Sequence, residues 1–567
     1  MQEVRIMETM EWKKRLPVGA SDFKRIREEC YFVDKTRFIK EFLDDHSEVT
    51  LITRPRRFGK TMAMSMLSYF FSMKNAEENR KLFEGTYIGQ AGEKYLREQG
   101  KWPVVMLSLK DIKPLKYKSM VAQIGINMHE LYGQYRYLTE ENFLQGDDYD
   151  AFQDILYERA SEDALQSSLG KLLQHLQRYH GRQVILLLDE YDSPIQAGWS
   201  AKESYYDEAI SFMRAFLIRA VKDNTALHFA VLTGVLRVAK ESIFSALNNL
   251  EVSTVVQGNY ADIFGFTQEE VAVFAKEVGH ADKLGEIKEW YDGYCFSGKE
   301  IYNPWSVVNY FHNDCFANVY WLNTSSNDIV TNLMRHADEE DERKLLLLLH
   351  GETIGVGIRE GVIYSDLYES KDALYTMLLT TGYLKSMRVE TDGGIPYCEV
   401  AIPNLEVRTV YQLEIMERYR RKMELSDLHI ILKHLLAGRA EEFARGLEKY
   451  LVQIASFHDT GNKESFYHGF MLGLMAWLLP RYRVVSNRES GYGRFDLGIF
   501  PKVEGAPGAV MEFKVSETED GLERAAQAAL SQIAGKQYLA EFTAEGVTQV
   551  WQYGISFCGK KIWLARG

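Results

Sequence analysis

Two sets of residues in this sequence have the types and spacing for phosphate and metal chemistry. The first centres on residues 54–61, Arg-Pro-Arg-Arg-Phe-Gly-Lys-Thr. Gly59-Lys60-Thr61 follows an apolar run that begins near Val49 and precedes a helical stretch from Met62 to Met73. That order of strand, loop and helix is what a phosphate-binding loop requires. Backbone amides face the phosphates, Lys60 reaches the β and γ oxygens, and Thr61 offers a hydroxyl to Mg²⁺. The full pattern GxxxxGK[ST] has its first glycine where this chain carries Arg54, so only the second half is met. Arg54, Arg56, Arg57 and Lys60 make a dense positive cluster for which a triphosphate is the simplest partner. The run Val184–Leu188 delivers Asp189 and Glu190 to the carboxyl edge of a parallel sheet, where Asp189 would hold Mg²⁺ through water and Glu190 would polarise an attacking water. Thr233 ends a further strand at 227–232 and could sense a γ-phosphate. Arg237, one helical turn on, could point at a phosphate or a neighbouring subunit. A bare Gly-Lys-Thr also begins ordinary capped helices, and an acidic strand end can be a solvated turn. Their joint occurrence argues for nucleotide.

The second set lies after residue 460. A helix from Lys463 to Leu479 carries Glu464, a strand follows at 482–486, and Asp496 falls in the strand 494–499. Gly508 introduces Ala509-Val510-Met511-Glu512-Phe513-Lys514-Val515. Alternate side chains of a strand share a face, so Glu512 and Lys514 point one way and Phe513 enters the core. With Asp496 on the partner strand, two carboxylates and a lysine form a hard-oxygen site suited to Mg²⁺ or Mn²⁺. Gln532 and Lys536 share one face of the next helix. The simpler alternative is a Glu-x-Lys pair that only solubilises an edge strand.

The elements needed to position these residues are legible in outline. Strands at 49–53, 104–109, 184–189 and 227–232 alternate with helical stretches, including one at 204–222, which implies right-handed crossovers and a parallel sheet. Asp34 reads as a helix cap. Thr267 with Glu270 makes a capping box, and Asp392-Gly393-Gly394 joins two alternating runs as a hairpin. A helical region ending in a hairpin suggests a winged-helix-like lid. Tyr291-Asp292-Gly293-Tyr294 and Tyr302-Asn303-Pro304-Trp305-Ser306 read as turns. The expected division is an α/β parallel-sheet domain at 1–260, a mostly helical winged-helix-like region at 261–420, a helical linker at 421–455 and a second α/β domain at 456–567.

Composition restricts the options. At 567 residues the chain is too long for one core. A net charge of −13 argues against a wholly basic nucleic-acid coat. Apolar runs near ten residues are too short to span a bilayer. The first ten residues carry acids where a secretion signal has its apolar core. Five scattered cysteines without a CxxC pair suggest reduced thiols in a cytoplasm, with neither a disulfide framework nor a zinc site.

Leu-Pro-Val-Gly at 16–19, Tyr-Phe-Val-Asp-Lys-Thr at 31–36, Arg-Pro-Arg-Arg-Phe-Gly-Lys-Thr at 54–61, Leu-Leu-Asp-Glu-Tyr-Asp at 187–192 and Thr-Gly-Val-Leu-Arg-Val-Ala-Lys-Glu-Ser-Ile-Phe at 233–244 resemble the bacterial AAA-ATPase-like family. Arg54 is that family's usual variant at the first-glycine position. The strand order, with Glu190 directly after Asp189, looks like the additional-strand (ASCE) branch of phosphate-loop ATPases. The C-terminal constellation resembles the PD-(D/E)XK nuclease core, a restriction-endonuclease-like fold, with Phe495 where that motif has proline. The resemblance implies that Asp496 and Glu512 bind metal, that Glu464 completes the shell, that Lys514 positions the attacking water, and that Gln532 and Lys536 are accessory. The expected function is ATP binding and hydrolysis regulating a Mg²⁺-dependent nuclease on nucleic acid, DNA more than RNA, with a homo-oligomer possible and no membrane partner. The alternative is a nucleotide-controlled switch whose nuclease-like domain only binds.

Overall fold

The computed structural model describes residues 15–201, 203–236, 250–321, 339–349, 351–359, 370–392, 395–411, 425–454, 464–475, 478, 481–490, 493–503, 505–535 and 538–567. Arg237 and Lys536 lie outside them, as does the side chain of Glu464. The chain divides into two compact units. One comprises Met1–Asn323 with Gly355–Glu406, the other Thr324–Ile354 with Val407–Gly567.

The first unit is built on strands Val49–Thr53 (β1), Val104–Ser108 (β2), Val184–Asp189 (β3), Leu227–Gly234 (β4) and Leu250–Ser253 (β5). They form a parallel sheet of order β2-β3-β4-β1-β5. The pattern of burial follows position. β1 and β3 are buried along their whole length, whereas β2, at an edge, alternates between buried and half-buried positions. Each fully buried aliphatic side chain contributes about 1.5–3 kcal/mol, so the five residues Val184–Leu188 alone anchor the centre. The helix Glu162–His180 begins at Ser161, whose hydroxyl accepts the Ala164 amide, and stops at Gly181 in the left-handed region. The helix Tyr206–Val221 packs beside it.

The middle of this unit is helical. Thr267 and Glu270 complete the expected capping box on the helix Gln268–Glu277. Asp34 does not cap a helix directly. Its carboxylate instead accepts the amide and hydroxyl of Thr36 and the amide of Tyr87, closing a turn ahead of the helix Arg37–Asp45. A small antiparallel pair, Tyr294–Phe296 (β6) and Lys299–Ile301 (β7), leads to the helix Pro304–His312. Ile354–Gly357 (β8) joins a hairpin of Lys385–Asp392 (β9) and Ile395–Ala401 (β10) that follows the helix Lys371–Thr381, the helix-then-hairpin arrangement expected of a winged region. Glu406 is fully buried here and accepts the Ser306 hydroxyl at 2.8 and 3.0 Å and the amides of Tyr320 and Trp321 at 2.8 and 2.9 Å.

The second unit contains Tyr482–Ser490 (β11), Gly493–Pro501 (β12), Gly508–Val515 (β13), Val550–Cys558 (β14) and Lys561–Arg566 (β15) in that spatial order. Only β13 and β14 run parallel, so the sheet is mixed. The helix Leu522–Gly535 crosses β14 at Gly554, where an added Cβ would lie 2.2 Å from the Ala526 carbonyl oxygen and 2.4 Å from the Leu530 nitrogen. Only glycine admits so close an approach of helix and strand backbones. All five cysteines are free thiols. No helix among the described residues is long and apolar enough to cross a membrane.

Candidate functional site: a phosphate loop and a carboxylate pair

The sheet order places the phosphate loop, which leaves β1, beside the end of β4 and one strand away from the end of β3. In register, Ile52 faces Thr233 and Thr53 faces Gly234. Gly59 takes φ +85° and opens the helix Lys60–Phe71. At the end of β3, Asp189 is fully buried, and two hydroxyls converge on it. Thr61 donates to Oδ2 at 2.7 Å, and Thr233 donates to Oδ1. The Glu190 amide in turn donates to Thr233 Oγ1 at 3.4 Å. Glu190 itself sits at φ +52°, a left-handed conformation that costs a non-glycine residue about 1 kcal/mol. The Ser193 hydroxyl donates to its Oε2 at 3.2 Å.

Lys60 is buried, and its ammonium donates to the carbonyls of Arg54 and Pro55 at 2.9 and 2.8 Å. Burial lowers its pKa, opposed by the charges of Glu190, Asp189 and Asp192. Asp192 locks the turn after β4 by accepting the amides of Val235 and Leu236 at 2.9 and 3.0 Å. Its own pKa is raised by burial. Gly234 is required beneath it, because an added Cβ would lie 2.7 Å from Asp192 Oδ1.

The loop arginines have three different fates. Arg54 is fully buried. Its guanidinium donates to the carbonyls of Thr53 (2.8 Å), Ser253 (3.1 Å) and Asn259 (3.2 Å) and to the Ser253 hydroxyl (3.0 Å), and it lies over the rings of Phe264 and Phe296. Its side chain therefore knits the loop to β5, and its hydrogen-bonding capacity is turned to protein carbonyls where phosphate contact was expected. Desolvation lowers its pKa. Arg56 donates to Gln196 at 2.6 Å. Arg57, at φ +71°, is exposed and stacks on Trp305. Phe58 is buried against Tyr294 and Phe296.

In the second unit, β12 and β13 pair with Leu497 opposite Met511, which sets Asp496 and Glu512 at neighbouring positions of adjacent strands. Asp496 Oδ2 accepts the Phe513 amide at 2.7 Å. Glu512 is buried, receives a hydrogen bond from the Gln532 side-chain amide, and lies 3.7 Å from the Lys514 ammonium. Phe513 is fully buried, so Glu512 and Lys514 share the face expected of them. Gln532 also reaches the Tyr538 hydroxyl at 3.4 Å. His468, on the helix Glu464–Met475, is hydrogen-bonded through Nε2 to the Asp496 carbonyl at 2.9 Å and lies beside the Phe513 ring.

The donor sets suit hard cations. A threonine hydroxyl beside a buried carboxylate fits Mg²⁺ that keeps most of its waters, and Asp496 with Glu512 offers two carboxylates. Among the described residues no group of three or more His, Cys, Asp and Glu side chains converges on one point. Sequence reasoning missed Asp192, Trp305 and His468. Two of them had a readable signal: Asp192 closes the 187–192 motif, and His468 lies four residues after Glu464 and so on the same helix face.

Residues 17–244 match the model of a predicted AAA-ATPase family, and residues 462–566 match that of the PD-(D/E)XK nuclease superfamily. The chain is also similar to an uncharacterized protein in the vnfD 5′ region of Azotobacter chroococcum mcd 1, with 27% identity over 416 residues, which cover 72% of this chain and 71% of that protein.

Proposed function

From a chain that carries an AAA-ATPase-like domain and a PD-(D/E)XK nuclease-superfamily domain, we propose that ATP bound and hydrolysed at the 54–61 loop regulates a metal-dependent nuclease that cuts nucleic-acid phosphodiesters, DNA in preference to RNA. The observation that carries the ATPase half is the convergence of the Thr61 and Thr233 hydroxyls on buried Asp189. In this reading the loop amides and Lys60 bind the β and γ phosphates, and Arg57 faces the γ end. Thr61 and Asp189 hold Mg²⁺, Glu190 orients the attacking water, and Thr233 senses the γ-phosphate. Arg54 acts on the nucleotide only through the shape of the loop. Arg237 contributes from the segment after β4.

The nuclease half is supported by Glu512, Lys514 and Asp496 on adjacent strands. Asp496 and Glu512 hold the metal with Glu464, Lys514 positions the nucleophilic water, and Gln532 fixes the Glu512 carboxylate, with Lys536 accessory to the site. Mg²⁺ or Mn²⁺ bound there supplies Lewis acidity and a more acidic water.

The test is cleavage of labelled linear DNA, circular DNA and RNA with Mg²⁺ or Mn²⁺, in the presence of ATP, a non-hydrolysable analogue or no nucleotide. Glu512→Gln should abolish cleavage, and Lys60→Ala should abolish its nucleotide dependence. A wild-type rate that is identical in all three nucleotide conditions would exclude regulation. No cleavage of any substrate would leave a nucleotide-controlled binding protein.

A further inference from the structure

The motif Tyr302-Asn303-Pro304-Trp305-Ser306 meets the site through the stacking of Trp305 on Arg57. We propose that Trp305 is a positioning residue for Arg57, holding the guanidinium beside the γ-phosphate of a bound nucleoside triphosphate. The inference rests on the nucleotide reading of the 54–61 loop and extends it to a residue some 250 positions away.

Three observations carry it. First, of the loop arginines, Arg54 is spent on carbonyls and Arg56 bonds Gln196, whereas Arg57 is exposed to a ligand with its guanidinium carbon 4.0 Å from the centre of the Trp305 ring. Second, the indole is fixed before any ligand arrives. Asn303 caps the helix by accepting the Trp305 and Ser306 amides at 3.0 and 3.3 Å, Pro304 opens it, and the indole Nε1 donates to the Tyr320 carbonyl at 3.1 Å. The neighbouring Ser306 hydroxyl is bonded to buried Glu406. A ring held this firmly presents one face, and Arg57 lies on it. Third, Arg57 is kept at φ +71°, a strained conformation for a residue with a side chain. It lies in the field of Glu190, which opposes the lowering of its pKa by burial. On the nucleotide reading Arg57 lies on the loop that wraps the phosphates, three residues before Lys60, so its guanidinium is offered to the γ oxygens that distinguish triphosphate from diphosphate. Stacking also orients the planar fork of donors that arginine offers to phosphate oxygens.

The test measures ATP and ADP affinities of the full chain by competition against a fluorescent nucleotide, for wild type, Arg57→Ala, Trp305→Ala, Trp305→Phe and the Arg57→Ala/Trp305→Ala double variant, with thermal midpoints recorded alongside. Each single alanine variant should weaken ATP about tenfold, within the range of a cation–ring contact acting through one charge, and leave ADP nearly unchanged. The double variant should be no weaker than Arg57→Ala alone, because the two side chains act as one. Trp305→Phe should restore most of the loss. If Trp305→Ala weakened ATP and ADP equally, or its effect added to that of Arg57→Ala, Trp305 would be merely structural and the inference would fall while the nucleotide reading stood. If wild type bound neither nucleotide, both would fall together. Should Trp305→Ala not fold, Trp305→Leu carries the same comparison.

Discussion

Replacing Glu406 by glutamine should remove a pH dependence from the stability of the first unit. Glu406 is fully buried, and its described partners are one hydroxyl and two backbone amides. Burial raises its pKa from 4.5 to about 7, against the opposing pull of the bonds from Ser306, Trp321 and Tyr320. In the unfolded chain the group ionises near 4.5, so between pH 4.5 and 7 the folded protein keeps a proton that the unfolded chain has lost. The stability conferred by that proton is complete below pH 4.5, declines as pH rises, and is gone above about 7. At about 1.4 kcal/mol per tenfold change in proton affinity, the loss amounts to about 3 kcal/mol. Glutamine fits the same position, with Oε1 accepting the two amides and the side-chain nitrogen donating to Ser306 Oγ, and it cannot ionise. Thermal midpoints of wild type and Glu406→Gln at pH 5, 6, 7 and 8 should therefore be close at pH 5 and diverge through pH 7, with the variant about 3–6 °C higher at pH 8. Only the difference between the two curves counts, since other groups titrate in both. Parallel curves, or a gap that opened in the other direction, would refute the assignment of a raised pKa to this carboxylate.

Three further predictions follow from specific contacts. Arg54→Gly restores the glycine of the common phosphate-loop pattern, yet it should destabilise the first unit by about 3 kcal/mol or more, because the buried carbonyls of Thr53 and Ser253 and the Ser253 hydroxyl lose a charged donor; a thermal melt that was unchanged or raised would contradict this. Thr61→Val, nearly the same shape without the hydroxyl, should weaken ATP about tenfold with Mg²⁺ present and little in EDTA, on the scale of one lost oxygen ligand, as read by equilibrium nucleotide binding. Gly554→Ala should destabilise the second unit by about 3 kcal/mol, because its Cβ would meet the Ala526 carbonyl oxygen at 2.2 Å; limited proteolysis of the C-terminal sheet would register the loss.

Much of the architecture was legible in the sequence because it is set by local pattern. The aliphatic run Val184–Leu188 became the buried strand β3 and the Val/Thr/Leu/Ile run at 49–53 the buried strand β1, and the alternation around Phe513 placed Glu512 and Lys514 together. Thr267 and Glu270 lie three apart, and their capping box formed as read. What could not be read depends on distant partners. Arg54 looked like part of a phosphate-facing cluster because its neighbours in sequence are basic, but its direction is decided by Ser253 and Asn259, roughly 200 residues away. The short strand β5, which supplies Ser253, has no strong periodic signal of its own. Trp305 and Glu406 were equally hidden, since a stacked ring and a buried carboxylate leave no mark at helical or strand spacing.

The bond between Ser306 and Glu406 joins positions 100 residues apart, and the first unit takes its second segment, Gly355–Glu406, only after an excursion through the other unit. Translation proceeds from the N-terminus, so the parallel sheet of the first unit can assemble long before the carboxylate that receives Ser306 has left the ribosome. Until then the backbone amides of Tyr320 and Trp321 lack their acceptor, and the Pro55 side of the phosphate loop lacks Gly382, where an added Cβ would touch the proline ring at 3.1 Å. A fragment cut after residue 321 would be arrested at that stage of synthesis. Only a chain that reaches Glu406 assembles the whole support of the 54–61 loop.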